Sequence, residues 1–125
     1  MTENRFFICE HCGNIVGMIH DAGVPIKCCG KEMKQLEPSA EASREKHTPV
    51  VNVDGSTVRV TVGSDMHPMN NDHSITWVYM QTDRGGQRKC LKQSGEPVVS
   101  FALMDEKPVA VYAYCNQHGM WRTEI

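Results

Sequence analysis

The stretch Asp54-Gly55-Ser56-Thr57-Val58-Arg59-Val60-Thr61-Val62 determines the fold class of this chain. Its valines occupy every second position and alternate with arginine and threonine, which is the period of a half-buried β-strand. The Asp-Gly pair before them is a signal for a hairpin turn. The stretch therefore predicts a β-strand that follows a tight turn.

Four further apolar runs have the length and composition of strands, and they cover residues 50–53, 75–80, 98–103 and 109–114. Turn signals separate them at Gly85-Gly86, Ser94-Gly95 and 105–108. Short strands with turns at these intervals are typical of an immunoglobulin-like antiparallel β-sandwich. The predicted fold is all-β, with this sandwich preceded by a small metal-binding domain.

The first 37 residues have a different character from the rest of the chain. Glycine and proline punctuate them so often that their core is too small to be stable without a metal. The polar stretch that follows, 38–46, is typical of a linker or a single helical turn. We therefore expect a metal-binding domain at 1–37, a linker at 38–46 and the β-sandwich at 47–125.

Four cysteines in the first segment have the spacing of a metal site. Cys9 and Cys12 form a C-x-x-C motif, Cys28 and Cys29 are adjacent, and a glycine follows each pair. A disulfide between neighbouring cysteines would be strained, which disfavours a disulfide staple. Zinc and iron both accept four thiolates in a tetrahedron, so these residues alone leave a structural zinc site and an iron site open.

A second set of possible ligands lies in the predicted sandwich, at loops or strand ends: His47, His67, His73, Cys115 and His118. A single histidine is more often a surface or core residue, but four of them with a Cys-x-x-His motif indicate one metal site. Five nitrogen and sulfur donors leave one position of an octahedron free, which suits a metal that binds and reduces a substrate. His11 and His20 lack such support and are expected on the surface.

Composition excludes several classes of partner. The chain has 125 residues and a net charge of -2, so it offers no broad basic surface for nucleic acid. No apolar run approaches the roughly 18 residues needed to cross a bilayer. Five of the six cysteines belong to candidate metal sites, and cysteines used in this way favour a reducing compartment, so we expect a cytoplasmic protein.

The motifs occur in the order of a known family: Cys9-Glu10-His11-Cys12-Gly13-Asn14-Ile15-Val16, Cys28-Cys29-Gly30, Glu45-Lys46-His47-Thr48-Pro49, His67-Pro68-Met69, His73, and Cys115-Asn116-Gln117-His118-Gly119. Over nearly the whole chain they resemble desulfoferrodoxin, the two-iron class of superoxide reductase. The resemblance implies a desulforedoxin-like first domain whose four cysteines bind an Fe(Cys)4 centre. It also implies a second iron, Fe(His)4Cys, with four equatorial histidines, axial Cys115 and a sixth position open to superoxide in the ferrous state.

The same resemblance implies an enzyme that reduces superoxide by one electron to hydrogen peroxide and so protects against oxidative stress. Lys46 would steer the superoxide anion and help to deliver a proton, and Glu45 would be the sixth ligand of the resting ferric site. A small electron carrier such as rubredoxin would reduce the iron again. Members of this class form homodimers, so a homodimer is expected here.

Other interpretations remain open at the level of sequence. The main alternative is a non-enzymatic module, in which a zinc site is attached to a β-sandwich and the histidines form a second structural or storage site. A copper electron carrier is a weaker alternative, because such sites usually have two histidines and one cysteine. Cys90 and the methionines, including Met66, Met69 and Met120, are expected to be structural, and Trp121 is expected to shield the second site.

Overall fold

The structure, a computed structural model, describes residues 5–39, 47–63, 67–70, 72–92 and 95–125. The twelve elements with bounds in these ranges are all strands: β1 (Arg5–Ile8), β2 (Ile15–Met18), β3 (Lys27–Cys28), β4 (Lys31–Glu32), β5 (Lys34–Gln35), β6 (Pro49–Asp54), β7 (Thr57–Val62), β8 (Ile75–Thr82), β9 (Gly85–Cys90), β10 (Val98–Ala102), β11 (Pro108–Cys115) and β12 (Gly119–Glu124). The predicted all-β fold is confirmed. None of the described residues forms an apolar helix of membrane-spanning length.

The chain divides into two compact units, 1–37 and 38–125. The first unit contains a three-stranded sheet in the order β2-β1-β5 and the short pair β3-β4. Its buried apolar side chains within the described part are Phe6, Cys9 and Met33. So few buried side chains cannot offset the entropy of ordering the segment, so a metal held by its cysteines would form part of its core.

The second unit is a sandwich of two antiparallel sheets with the strand orders β10-β7-β6 and β12-β11-β8-β9. The quoted stretch forms the β6–β7 hairpin, where Asp54 pairs with Thr57 and Gly55 has a φ of 59°. Its alternating valines, 58, 60 and 62, are fully buried between the sheets with Phe101 and Val111. Each such side chain contributes about 1.5–3 kcal/mol on burial, so this alternation stabilises the unit as predicted.

Two parts of the sandwich differ from the sequence-based expectation. Gly85 and Gly86 were expected to separate strands, but they begin β9. A Cβ on Gly86 would clash with Tyr79 Oη, so glycine is needed there for close packing. Strand β12 was not predicted, because the adjacent side chains Met120 and Trp121 are both buried and break the alternating pattern.

The sandwich gathers several chain segments at one end. β6 begins at Pro49, β7 ends at Val62, β8 begins at Ile75 and β11 ends at Cys115. The register Pro49↔Val62 and Cys115↔Ile75 places these termini at paired positions of the two sheets. The predicted metal-binding residues of this unit lie on, or next to, these termini.

Candidate metal centres

The nine predicted metal ligands form two groups in the structure. Cys9, Cys12, Cys28 and Cys29 make the four-cysteine group, and His47, His67, His73, Cys115 and His118 make the five-donor group. Within each group the possible ligand atoms all lie within 4.8 Å of one another. Each group is therefore compact enough to surround one metal ion.

The four-cysteine group has the spacing of a tetrahedral thiolate site. The Cys12 and Cys28 sulfurs lie 3.6 Å apart and the Cys28 and Cys29 sulfurs 4.0 Å apart. Four sulfurs at about 2.3 Å from a common ion would be about 3.8 Å apart. All these cysteines are free thiols, so the disulfide alternative is excluded here.

Tight turns aim backbone and side-chain donors at these sulfurs. The Cys12 amide donates to the Cys9 sulfur at 3.5 Å, and the Asn14 side chain to the Cys28 sulfur at 3.8 Å. The Cys12 amide is the main reason why the pKa of Cys9 falls to about 6, which favours its thiolate. Hydrogen bonds with the Cys12 and Cys9 sulfurs raise the pKa of Cys29 to about 12. Metal binding must therefore displace a firmly held proton from this group.

In the five-donor group, the four imidazoles lie at the corners of a square. Neighbouring ring centroids are 4.7 Å apart for His47 and His67, 4.6 Å for His67 and His73, 4.9 Å for His73 and His118, and 4.8 Å for His118 and His47. The diagonal from His47 to His73 is 6.4 Å, about 1.3 times a side. A tetrahedral arrangement would make all these distances similar. The square therefore indicates four equatorial ligands.

Hydrogen bonds and burial define the ligand atom of each histidine. His47 Nε2 lies 3.1 Å from His118 Nδ1, and His73 Nε2 lies 3.2 Å from Cys115 Sγ. His67 Nδ1 lies 2.7 Å from the Pro68 carbonyl oxygen, to which it donates, so its Nε2 keeps a lone pair for a metal. That Nε2 is buried and has no hydrogen-bond partner among the described residues. Burial is the main reason why the pKa of His67 falls to about 4, so this imidazole is neutral at pH 7.

Cys115 lies against one face of the square. Its sulfur is fully buried and lies 3.2 Å from His73 Nε2 and 3.6 Å from His118 Nδ1. A nitrogen and a sulfur at right angles around a first-row metal are separated by about 3.1 Å, and two nitrogens by about 3.0 Å. The distances fit a set of five donors in which the four imidazoles and the Cys115 thiolate would hold one six-coordinate metal ion. A closed four-ligand zinc site and a blue-copper site do not have this arrangement.

Local structure brings His118 and His47 to this group. The turn between β11 and β12 returns at Gly119, whose φ of 84° favours glycine, so His118 faces back towards Cys115. The Trp121 ring stacks on His47 with a centroid distance of 4.7 Å and an interplanar angle of 15°. Trp121 is buried, and the structure thus gives it a specific contact with a predicted ligand.

The other predicted residues have different positions. Glu45, Lys46 and Met66 lie outside the described residues. His11, His20 and Cys90 are exposed and belong to neither group. Met69 packs against the core, where its sulfur accepts from the Ile75 amide, and Met120 is buried.

Sequence reasoning missed the role of Asn116. Its side chain hydrogen-bonds to the backbone of Ser74 and Asp72, which lie 42 and 44 positions earlier in the chain and flank His73. The signal available was the position of Asn116 between Cys115 and His118, but no local pattern shows its partner.

Comparison with known proteins gives a consistent result. The family model described as Desulfoferrodoxin matches residues 39–124. Desulfoferrodoxin from Nitratidesulfovibrio vulgaris is 40% identical over 124 residues, covering 98% of each chain. The superoxide reductase from Treponema pallidum has a similar structure, with a TM-score of 0.82, 36% identity and 98% of each chain covered. The one-iron superoxide reductase from Giardia intestinalis is 31% identical, has a TM-score of 0.56, and covers 65% of this chain and 97% of its own.

The resemblance inferred from the motifs is thereby confirmed. The two donor groups match those of a two-iron protein, and the geometry of each fits its metal. The predicted cofactors are confirmed as two iron ions per chain, one Fe(Cys)4 and one Fe(His)4Cys.

Proposed function

The chain belongs to the desulfoferrodoxin family, and we propose that it is a superoxide reductase acting at the five-donor group. In the proposed reaction, one superoxide anion takes up one electron and two protons and becomes one molecule of hydrogen peroxide. The observation that carries the proposal is the square of four imidazoles with a buried thiolate on one face. Such a donor set occupies five positions and leaves a sixth for a small substrate.

The donors also suit an anionic substrate. Four neutral imidazoles and one thiolate leave a net positive charge at the site when ferrous iron is bound, which attracts a small anion. Iron held by these residues would supply the single electron of the reaction, and the Cys115 thiolate would favour its donation. The low pKa of His67 and its hydrogen bond to Pro68 keep this imidazole neutral and correctly oriented.

The burial of the five donors defines the proposed side of approach. Cys115, His47 and His67 are buried, His73 is partly buried and His118 is exposed. The thiolate face is closed by the sandwich core, which includes Ile75 and Ala113. Superoxide would therefore approach from the face opposite Cys115, where solvent can supply both protons.

Glu45 and Lys46 are proposed to act at this face. They directly precede His47 in the sequence, so their side chains are attached within a short reach of a ligand. Lys46 would attract superoxide and assist proton delivery, and Glu45 would occupy the sixth position in the resting ferric state. These roles rest on the family resemblance and the adjacency to His47.

Several broader features are proposed with the activity. A small rubredoxin-like carrier would return the electron after each turnover. The unit of residues 1–37 would be the Fe(Cys)4 domain, and the sandwich that begins at His47 would be the catalytic domain. A cytoplasmic location and a homodimer remain predictions.

The stoichiometry of products tests the proposed function. The reduced two-iron protein would be mixed with superoxide under anaerobic conditions, and hydrogen peroxide and dioxygen would both be measured. Reduction gives one peroxide for each superoxide consumed and no dioxygen. One peroxide and one dioxygen for every two superoxide anions would instead indicate dismutation, and no acceleration of superoxide loss would leave a metal-binding module. A His47→Ala variant, which removes one corner of the square, serves as the site-specific control.

A further inference from the structure

We propose that Asn116 is a positioning residue that holds the two ligand-bearing segments, 72–74 and 115–118, in register. This inference rests on the proposed function of the five-donor group. Asn116 lies between the ligands Cys115 and His118, yet its side chain is exposed and hydrogen-bonds to no ligand side chain among the described residues. Its side-chain hydrogen bonds go instead to the backbone on either side of His73.

The contacts of Asn116 continue the β8–β11 ladder beyond the end of the strands. The last paired residues are Cys115 and Ile75. At the next position along the ladder, the backbone amide of Asn116 donates to the Ser74 carbonyl at 3.2 Å, which is an ordinary backbone hydrogen bond. The Ser74 amide then donates to Asn116 Oδ1 at 3.0 Å, so a side-chain oxygen occupies the place of a backbone carbonyl.

The second half of the side-chain amide is used as well. Asn116 Nδ2 donates to the Asp72 carbonyl at 3.1 Å. The side-chain amide of Asn116 thus accepts a hydrogen bond from Ser74, the residue after His73, and donates one to Asp72, the residue before it. Because the side-chain oxygen takes the place of a backbone carbonyl in the ladder, the main chain after Asn116 can turn at Gly119 and bring His118 to the site.

This dual role explains the residue type. Aspartate would keep an acceptor for the Ser74 amide, but it has no donor and would place a carboxylate against the Asp72 carbonyl. Alanine would lose both bonds and leave the amide of the buried Ser74 without its acceptor, which is destabilising. Only an amide of this length matches both partners.

A neighbouring residue provides a matched control. Gln117 Nε2 also donates to the Asp72 carbonyl, at 2.7 Å, and this bond is exposed to solvent. In the described part of the chain, Gln117 makes no hydrogen bond to Ser74. Gln117→Ala therefore removes one hydrogen bond to the same segment and keeps the ladder extension at Ser74 intact.

The experiment uses the protein with ferrous iron in the five-donor group and ferric iron in the Fe(Cys)4 centre, and it follows iron release to an excess of a ferrous chelator. Outer-sphere residues that orient metal ligands typically change metal affinity by about 10- to 100-fold when they are removed. We expect Asn116→Ala to release iron from the five-donor group about 10- to 100-fold faster, and Gln117→Ala to stay within about 2-fold of the unaltered protein. The iron-release rate of Asn116→Asp should lie between those of Asn116→Ala and Gln117→Ala. The colour of the Fe(Cys)4 centre in the other unit is the internal control.

A second readout separates positioning from general destabilisation. After oxidation, the thiolate-to-iron band of Cys115 should shift in Asn116→Ala and return towards its normal position in Asn116→Asp, which retains the Ser74 bond. Unchanged release and an unchanged band in Asn116→Ala would overturn the inference, as would equal effects of Asn116→Ala and Gln117→Ala. Peroxide yield is measured on the same samples. If the unaltered protein reduces no superoxide, the proposed function is contradicted. The role of Asn116 is then tested by the iron-release rates of the three variants alone.

Discussion

Replacing Trp121 tests whether the ring stacked on His47 contributes to iron binding. Trp121 is only 3% exposed, and its ring lies nearly parallel to the imidazole at 4.7 Å. Aromatic pairs contribute about 0.5–1.5 kcal/mol beyond their burial. If Trp121→Leu loses this contribution only in the iron-bound state, iron affinity falls by about 2- to 13-fold.

Trp121→Phe is the matched variant, because phenylalanine can keep a stacked ring. It also removes the indole N–H, which is buried and has no hydrogen-bond partner among the described residues. We therefore expect Trp121→Phe to bind iron within about 2-fold of the unaltered protein, since the stacked pair is retained. Trp77→Phe, whose ring stacks on Tyr114, controls for the loss of a tryptophan elsewhere.

The assay is competition for ferrous iron between the five-donor group and a chelator, with the Fe(Cys)4 colour as the reference. Thermal unfolding of the metal-free variants is measured beside it, because Trp121→Leu also removes buried volume. Equal iron affinities for Trp121→Leu and Trp121→Phe would refute the reasoning. So would a loss of affinity in Trp77→Phe of the same size.

Three further predictions follow from individual contacts. Burial lowers the pKa of His67 to about 4, so the folded state disfavours the protonated imidazole. The stability of the metal-free protein should therefore be unaffected by this group above about pH 6.5 and should decrease from there towards pH 4. Urea unfolding at several pH values measures this decrease, and His67→Gln should make it smaller. Gly86→Ala should destabilise the sandwich by about 1–3 kcal/mol, because the new Cβ would meet Tyr79 Oη and the Met80 carbonyl, whereas Gly95→Ala, whose nearest neighbour is at 3.7 Å, should have little effect on thermal unfolding. Cys12→Ser should abolish the Fe(Cys)4 spectrum and leave the Cys115 band intact, because the two donor groups share no residue; loss of both signals would contradict separate centres.

The sequence predicted those features that leave a local pattern. The alternating valines of β7 identified a strand and its buried face, and the C-x-x-C, Cys-Cys and Cys-x-x-His motifs identified ligands by their spacing. Short-range spacing is enough in these cases because the interacting atoms are set by the period of a strand or by one turn.

Features that depend on distant partners could not be predicted in this way. The expectation that Gly85-Gly86 forms a turn was wrong, because the need for glycine comes from Tyr79 on the neighbouring strand. The contact of Asn116 with residues 72 and 74 spans more than 40 positions, and the stack of Trp121 on His47 spans more than 70. Such contacts are known only once the sheets have brought the segments together.

A titration with superoxide, followed by the optical spectrum, tests the proposed activity of the five-donor group most directly. The protein starts with ferrous iron in this group and ferric iron in the Fe(Cys)4 centre, so that only one iron can supply an electron. We predict that each superoxide anion oxidises one iron of the five-donor group, produces the Cys115 thiolate-to-iron band and yields one hydrogen peroxide. His118→Ala, which removes an exposed corner of the square, should weaken this response. A protein that consumes no superoxide and develops no band, although both centres are loaded with iron, would contradict the claim.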